Sequence, residues 1–221
     1  MLYIVSTPIG NLEDITLRAL KVLGKVDFIL AEDTRKTGLL LKNFNIRKPL
    51  VSFYEHNEIK KIPWVIEQLK KDKHIALVSN AGTPTISDPG YKLISACRKE
   101  KLSITAVPGP CSLIVAVALS SLPKEKFIFL GYLPKKRQAK LKLFNKMKEI
   151  NFTFVFFESP LRLLDSLISL KEELGNRRVT IAKELTKKFE EVIEINIDDA
   201  IEYFKKNKPR GEFTVLVERL N

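Results

Sequence analysis

Three stretches of small and ring-forming residues stand directly after short apolar runs, and each could offer its backbone to a ligand. Thr7-Pro8-Ile9-Gly10-Asn11-Leu12 follows the run 2–6, Ser79-Asn80-Ala81-Gly82-Thr83-Pro84 follows 75–78, and Pro108-Gly109-Pro110-Cys111-Ser112 follows 104–107. Small side chains leave amide and carbonyl groups approachable, and a second turn, Ser87-Asp88-Pro89-Gly90, extends the central loop. Such loops suit the enclosure of a small molecule at the carboxyl ends of parallel strands. A phosphate cradle of the dinucleotide type is disfavoured, because no GxGxxG is present and Pro8 removes one amide. Two further clusters carry charge. Glu32-Asp33-Thr34-Arg35 closes another apolar run, where it either orients a substrate or satisfies itself as an ion-paired helix start. Tyr54-Glu55-His56-Asn57-Glu58 gathers two acids, an imidazole and an amide at spacings that do not suit zinc, and His74 beside Lys73 reads as surface.

The elements that hold these loops are legible in the apolar pattern. Residues 2–6, 28–31, 50–53, 75–78 and 104–107 read as strands. The central one reads as buried on both faces, since four consecutive apolar residues between polar turn formers fit a parallel-sheet core. Between the strands the pattern predicts a helix capped by Asp14, with Ile15, Ala19, Leu20 and Leu23 on one face and Gly24 at its end. Further helices are expected over 37–44, 63–71 and 91–100, with an apolar one over 113–119. Right-handed crossovers would bring alternate loops to one sheet edge. Ser120-Ser121-Leu122-Pro123-Lys124 reads as a boundary, giving domains 1–121 and 122–221. In the second region strands are expected over 127–131, 153–157, 178–182, 190–195 and 213–217, the third and fourth as an antiparallel pair, with helices over 136–150, after Pro160 to 174, and over 198–206. The fold class is therefore α/β: two small α/β domains, the first with a mostly parallel sheet and the second with a mixed one.

Composition narrows the partners. The 221 residues carry a net charge of +12, with 45% hydrophobic and 29% charged residues. That balance fits a globular protein and favours a polyanionic partner such as RNA over the bland alternative of a merely basic enzyme. Nine basic residues against one acid, Glu125, lie between Lys124 and Lys148. On the helix expected there, Leu141, Phe144 and Met147 would pack inward while Lys135, Lys136, Arg137, Lys140 and Lys142 face outward as an RNA backbone grip. Cys97 and Cys111 are the only cysteines and suggest no disulfide framework, and no apolar run reaches the roughly 18 residues of a membrane helix. A cytoplasmic protein with no metal is the expectation.

Taken in order, STPIGNLEDIT, AEDTRKT, VSNAGTPTISDPG, VPGPCS, FLGYLP, FESPLR, AKELTK and the closing GE closely resemble the tetrapyrrole methylase (class III methyltransferase) family, in particular its ribosomal RNA small-subunit branch. The resemblance runs from Leu2 to Val217. It implies S-adenosylmethionine in a cleft between the two domains, a homodimer, and methyl transfer to the ribose 2′-oxygen of a decoding-centre cytidine in 16S rRNA, met within the small ribosomal subunit.

Carried over by position, the cofactor pocket would comprise Thr7, Pro8, Ile9 and Gly10; Ala81, Gly82, Thr83 and Pro84; and Pro108, Gly109, Pro110, Cys111 and Ser112. From the second domain the resemblance adds Tyr132, Leu133 and Glu158. It would also set Asp88 and Glu32 with Arg35 near the transfer site and Lys183 and Glu184 nearby, and loop position makes Asp88 and Glu32 the candidate proton acceptors, with Arg35 or Lys183 as electrostatic partner. Asn80 stands where the family usually carries Asp, and Tyr54, Leu161 and Phe189 stand where His is common. The alternatives are methylation of a tetrapyrrole or other small molecule by the same fold, an RNA-binding assembly factor without catalysis, and, third, a nicotinamide dehydrogenase. Salt separates the first from RNA methylation, since capture of a polyanion weakens steeply with ionic strength.

Overall fold

A computed structural model describes residues 1–219, which divide into two compact units, Met1–Cys111 and the chain from Ser112 onward. The first unit is built on a five-stranded parallel sheet of β1 (Leu2–Val5), β2 (Phe28–Ala31), β3 (Leu50–Ser52), β4 (Ile75–Val78) and β5 (Ile104–Val107), in the order β3-β2-β4-β1-β5. Its interior strands read as unbroken apolar runs because both faces are covered, and side chains alternate between two cores. Leu2, Ile4, Ile75 and Leu77 point into a cluster with Val65, Leu69, Leu93 and Cys97, from helices α3 (Glu58–Lys70) and α4 (Tyr91–Lys99). Val5, Ala76 and Val78 point the other way, against Ala19, Leu23 and Leu41 of helices α1 (Leu17–Leu23) and α2 (Thr34–Asn43).

Several boundaries move for local reasons. Asp14 does not cap α1. It ends a 3-10 turn, Leu12–Asp14, and Thr16 caps the helix by accepting the Ala19 amide at 3.0 Å. Helix α2 begins at Thr34 rather than 37, because Asp33 Oδ1 accepts the Arg35 amide at 2.9 Å and satisfies an orphan donor of the first turn. Helix α3 begins at Glu58 and runs through Pro63, which forfeits one backbone bond to the exposed Ile59 turn.

The second unit opens with α5 (Ser112–Leu119) and holds a mixed sheet of order β6-β7-β10-β8-β9. Its strands are β6 (Phe127–Tyr132), β7 (Thr153–Glu158), β8 (Arg178–Lys183), β9 (Glu191–Asn196) and β10 (Phe213–Val217). Strands β6 and β7 are parallel and the other pairs antiparallel, including the expected pairing of β8 with β9. Helices α6 (Arg137–Met147), α7 (Leu163–Leu174) and α8 (Ile197–Lys206) supply Phe144, Leu167, Leu170, Ile201 and Phe204 to one core with Phe154, Phe156, Val179 and Val215 of the sheet.

Residues 112–121, expected in the first domain, group with the second. Helix α5 packs on β10, Ser120 Oγ shares a 2.7 Å hydrogen bond with Thr180 Oγ1, and the Ser121 amide donates to Glu194 at 2.9 Å. A composition break at Pro123 marks where the helix stops, but these ties decide which sheet it serves. No helix among the described residues is long and apolar enough to cross a membrane.

Candidate functional site

In the first unit β1 lies between β4 and β5, so the loops leaving these three parallel strands emerge side by side at one edge. They are also stitched together. Thr7 and Gly82 form an antiparallel bridge, the Thr7 amide donating to the Gly82 carbonyl at 2.9 Å and the Gly82 amide to the Thr7 carbonyl at 3.0 Å. Thr83 Oγ1 donates to the Pro110 carbonyl at 3.1 Å and accepts from Ser6 Oγ at 2.9 Å, so one hydroxyl links all three loops. Glycine is required where the loops meet. A Cβ at Gly109 would lie 2.9 Å from Ser6 Cβ, and Gly82, at φ 77°, would bring one to 3.2 Å from Ile9 Cγ2.

Among the described residues two side-chain polar atoms are buried with no partner: Thr7 Oγ1, at this junction and on a residue only 2% exposed, and Asp14 Oδ2, at the end of the 3-10 turn that follows the first loop. An unpaired buried hydroxyl costs about 1–3 kcal/mol, so such an atom marks where a ligand would supply the missing hydrogen bond. Ser6, whose hydroxyl completes the link, carried no signal in the sequence beyond preceding Thr7.

Next to this junction, β2 pairs with β4 and places Glu32 beside the central loop. Glu32 Oε2 accepts the Asn80 amide at 3.1 Å. Burial, together with the nearby Glu32 charge, pushes the Asp88 carboxyl up from 3.8 to about 6, against the pull of a hydrogen bond with Ser79. Two of the sequence's candidate acids are thus brought together, and one is tuned to gain and lose a proton near neutrality.

Arg35 is not brought to them. Its guanidinium grips Asp33 through two hydrogen bonds of 3.1 and 2.8 Å, is 88% exposed, and holds the Asp33 carboxyl well below the usual range. This is the self-satisfied helix start that the residue types left open. Glu58, from the cluster read as unsuited to zinc, is buried. It accepts the Gly90 amide at 3.2 Å and pairs with Lys92 at 2.8 Å, fastening the far end of a loop in which Thr85, Ser87 and Gly90 all have positive φ.

In the second unit the picture is mixed. Tyr132 is 56% exposed at the end of β6, just past a register shift that Gly131 allows with φ 66°. Leu133 is a core residue, and its carbonyl accepts Arg162 Nη1 at 3.0 Å. The Glu158 side chain is wholly enclosed. Its oxygens take the Ser159 amide at 2.9 Å, the Ser166 hydroxyl at 2.6 Å and Arg162 at 2.5 Å, so this carboxylate ties the end of β7 to the start of α7. Lys183 is neutralised by Glu191 at 3.0 Å, and Glu184 by Lys187 at 2.8 Å.

The basic helix is corrected at one residue. Lys140 does not face outward: it is 0% exposed, with Nζ 2.6 Å from Asp165 and 3.0 Å from Ser166 Oγ. Helix α6 is three turns long and lies on α7, so the position between Arg137 and Phe144 faces the protein whatever its charge. Arg137 pairs with Glu172, while Lys135, Lys136 and Lys142 are exposed and make no ion pair among the described residues.

Two α/β sheets with such loops on the parallel one define a protein of the tetrapyrrole methylase class, and the family described as Tetrapyrrole (Corrin/Porphyrin) Methylases matches residues 1–201. The uroporphyrin-III C-methyltransferase of Thermus thermophilus, solved with S-adenosylhomocysteine, superposes with a TM-score of 0.66 over 97% of this chain and 96% of its own at 14% identity, a likeness of fold. The ribosomal RNA small subunit methyltransferase I of Thermotoga maritima is 50% identical over 98% of this chain and 97% of its own length. That of a Hydrogenobaculum species is 46% identical over 100% and 96%. The chain belongs to the ribosomal RNA small subunit methyltransferase I family.

Proposed function

We propose that the protein transfers a methyl group from S-adenosylmethionine to the ribose 2′-oxygen of a decoding-centre cytidine in 16S rRNA, acting in the cytoplasm as a homodimer on the small ribosomal subunit. The observation that carries this reading is the convergence of three strand-end loops on the Thr83 hydroxyl, with the buried, unpartnered Thr7 hydroxyl on the loop bridged to Gly82 and an Asp88 carboxyl poised near neutrality beside Glu32. Family membership supplies the substrate class.

Thr7–Gly10, Ala81–Pro84 and Pro108–Cys111 are the residues that would hold the cofactor. Gly10, Ala81, Pro108 and Gly109 are exposed there, the close glycine contacts suit a flat, neutral adenosyl group, and Thr7 Oγ1 supplies a hydrogen-bonding atom that the fold itself leaves unused. When bound, S-adenosylmethionine supplies a sulfonium methyl whose C–S bonding pair stays on sulfur as the new C–O bond forms. The chain then has two tasks. The loop junction aligns the groups, a contribution worth about 7–11 kcal/mol in the best oriented systems. Asp88, in its ionised form, takes the proton of the attacking 2′-hydroxyl and later releases it to water. Glu32 holds the Asn80 amide and, by its charge, keeps Asp88 basic. Lys135, Lys136 and Lys142, exposed and without ion pairs among the described residues, fit the phosphate backbone of the RNA.

The test is direct. Purified protein is incubated with methyl-labelled S-adenosylmethionine and 16S rRNA, free or assembled in small subunits, and digested nucleosides are resolved by mass spectrometry. Label in 2′-O-methylcytidine at a single site is expected. Label on a base, or calorimetry showing no affinity for S-adenosylmethionine, would overturn the proposal.

A further inference from the structure

The first unit carries a second basic surface, made where the chain enters the sheet rather than where it leaves. A furrow with Arg18, Lys21, Phe44 and Ile46 on its walls is joined at Arg18 and Lys21 to a hollow reaching Lys25 and His74, and at Ile46 to another lined by Arg47, Lys48 and Pro49. Its non-helical walls stand at strand beginnings: Tyr3 in β1, Val26 before β2, Pro49 before β3 and His74 before β4. The strands are parallel and the loops described above lie at their other ends, about 13 Å away for a strand of four residues.

The charges here are unanswered. Among the described residues Lys21, Lys25, Arg47 and Lys48 make no ion pair and no carboxylate lines the furrow, whereas three cations of the basic helix region are spent on Glu172, Asp165 and Glu173. Asp27, the acid next in the chain to Val26, is itself paired with Lys73 at 2.9 Å. Arg18 is held in place by donating to the Ala106 carbonyl at 2.6 Å. Between the cations the floor is apolar, with Leu20, Phe44 and Ile46, and Leu17 at the head of α1 is 86% exposed.

We infer that this furrow is a second RNA-binding surface, which grips the backbone of a large structured RNA at a point remote from the nucleotide that is methylated. Cations along an apolar floor suit phosphates with partly unstacked bases, and a small methyl acceptor could not reach both this furrow and the loop edge. The inference rests on the RNA methylation proposed above and deepens it, by making substrate capture depend on RNA extending well beyond the target ribose.

The experiment compares two sets of four substitutions in the full chain: Lys21→Gln, Lys25→Gln, Arg47→Gln and Lys48→Gln in the furrow, and Lys60→Gln, Lys61→Gln, Arg98→Gln and Lys99→Gln on the α3 and α4 face. The probe is transcribed 16S rRNA, and its affinity is measured against salt concentration. The furrow set should flatten the slope of log affinity against log salt by about 3, close to one counterion per lost cation. The α3 and α4 set should leave the slope near that of the native chain, and both sets should retain the native affinity for S-adenosylmethionine. Equal flattening by both sets, or none by the furrow set, would overturn the inference. A native chain that neither binds nor methylates the RNA would instead overturn the proposed function.

Discussion

Replacing Asp88 by Asn should make the protein more stable and nearly inactive at once. The side chain is partly buried beside Glu32, and its carboxyl is raised from 3.8 to about 6. Each tenfold change in proton affinity is 1.36 kcal/mol, so the full shift would make holding this group ionised cost about 3 kcal/mol above pH 7, which solvent screening of the part-exposed side chain reduces to about 1–2 kcal/mol. The raised value means that the native state binds the proton more tightly than the unfolded chain does. The associated stability is fully present below pH 3.8 and is lost as pH rises through about 6. Asn does not titrate. The Asp88→Asn protein should therefore exceed the native one by about 1–2 kcal/mol at pH 7 to 8, with the gap narrowing as pH falls from about 6 and closed by about 3.8.

Urea denaturation across that range reads the difference, followed by a probe in the first unit. In the same samples kcat should fall by about 10²–10⁴, the usual worth of a general base. In the native enzyme kcat/KM should rise with pH through an apparent value of about 6, and Glu32→Gln should move that limb to lower pH by removing the repulsive charge. A stability gap that is flat with pH would refute the burial argument, and unchanged turnover in Asp88→Asn would refute the role as base.

Two further outcomes follow from the geometry. Thr7→Val removes a buried hydroxyl that has no partner in the protein, so thermal stability without cofactor should hold or rise by about 1 kcal/mol while the Kd for S-adenosylmethionine weakens about tenfold; a loss of stability with unchanged affinity would count against the loop junction as a ligand site. Lys140→Ala should lower stability by about 2–3 kcal/mol in urea, less than for a fully enclosed pair because Asp165 is 55% exposed and can hydrate, with the salt slope of RNA binding unmoved; a flattened slope with native stability would return Lys140 to the RNA-binding face.

The apolar runs and small-residue loops settled a good deal by themselves. A run such as Ile75-Ala76-Leu77-Val78 can be stable only with both faces covered, which requires parallel strands and helices on either side, and the loops that follow such strands lie at one edge by topology. The order of motifs was enough to indicate the family. What sequence could not decide is which charges are free. Arg35, Lys140 and Glu158 look like functional groups as letters, yet each is consumed by a neighbour: Asp33 two residues away, Asp165 twenty-five residues away, and Ser166 with Arg162 on the following helix.

The converse holds for Lys21, Lys25, Arg47 and Lys48, ordinary surface residues in the sequence that only packing of α1 beside the entries to β2 and β3 assembles into one furrow. The tuning of Asp88 belongs to the same class, since it comes first from burial in the folded loop and then from the Glu32 charge at the end of the neighbouring strand. Local pattern is written in residue type and spacing, because hydrophobic burial and backbone geometry act along the chain. The state of a charge is set by whatever the fold brings within a few ångströms of it, and that is known only once the strands have found their order.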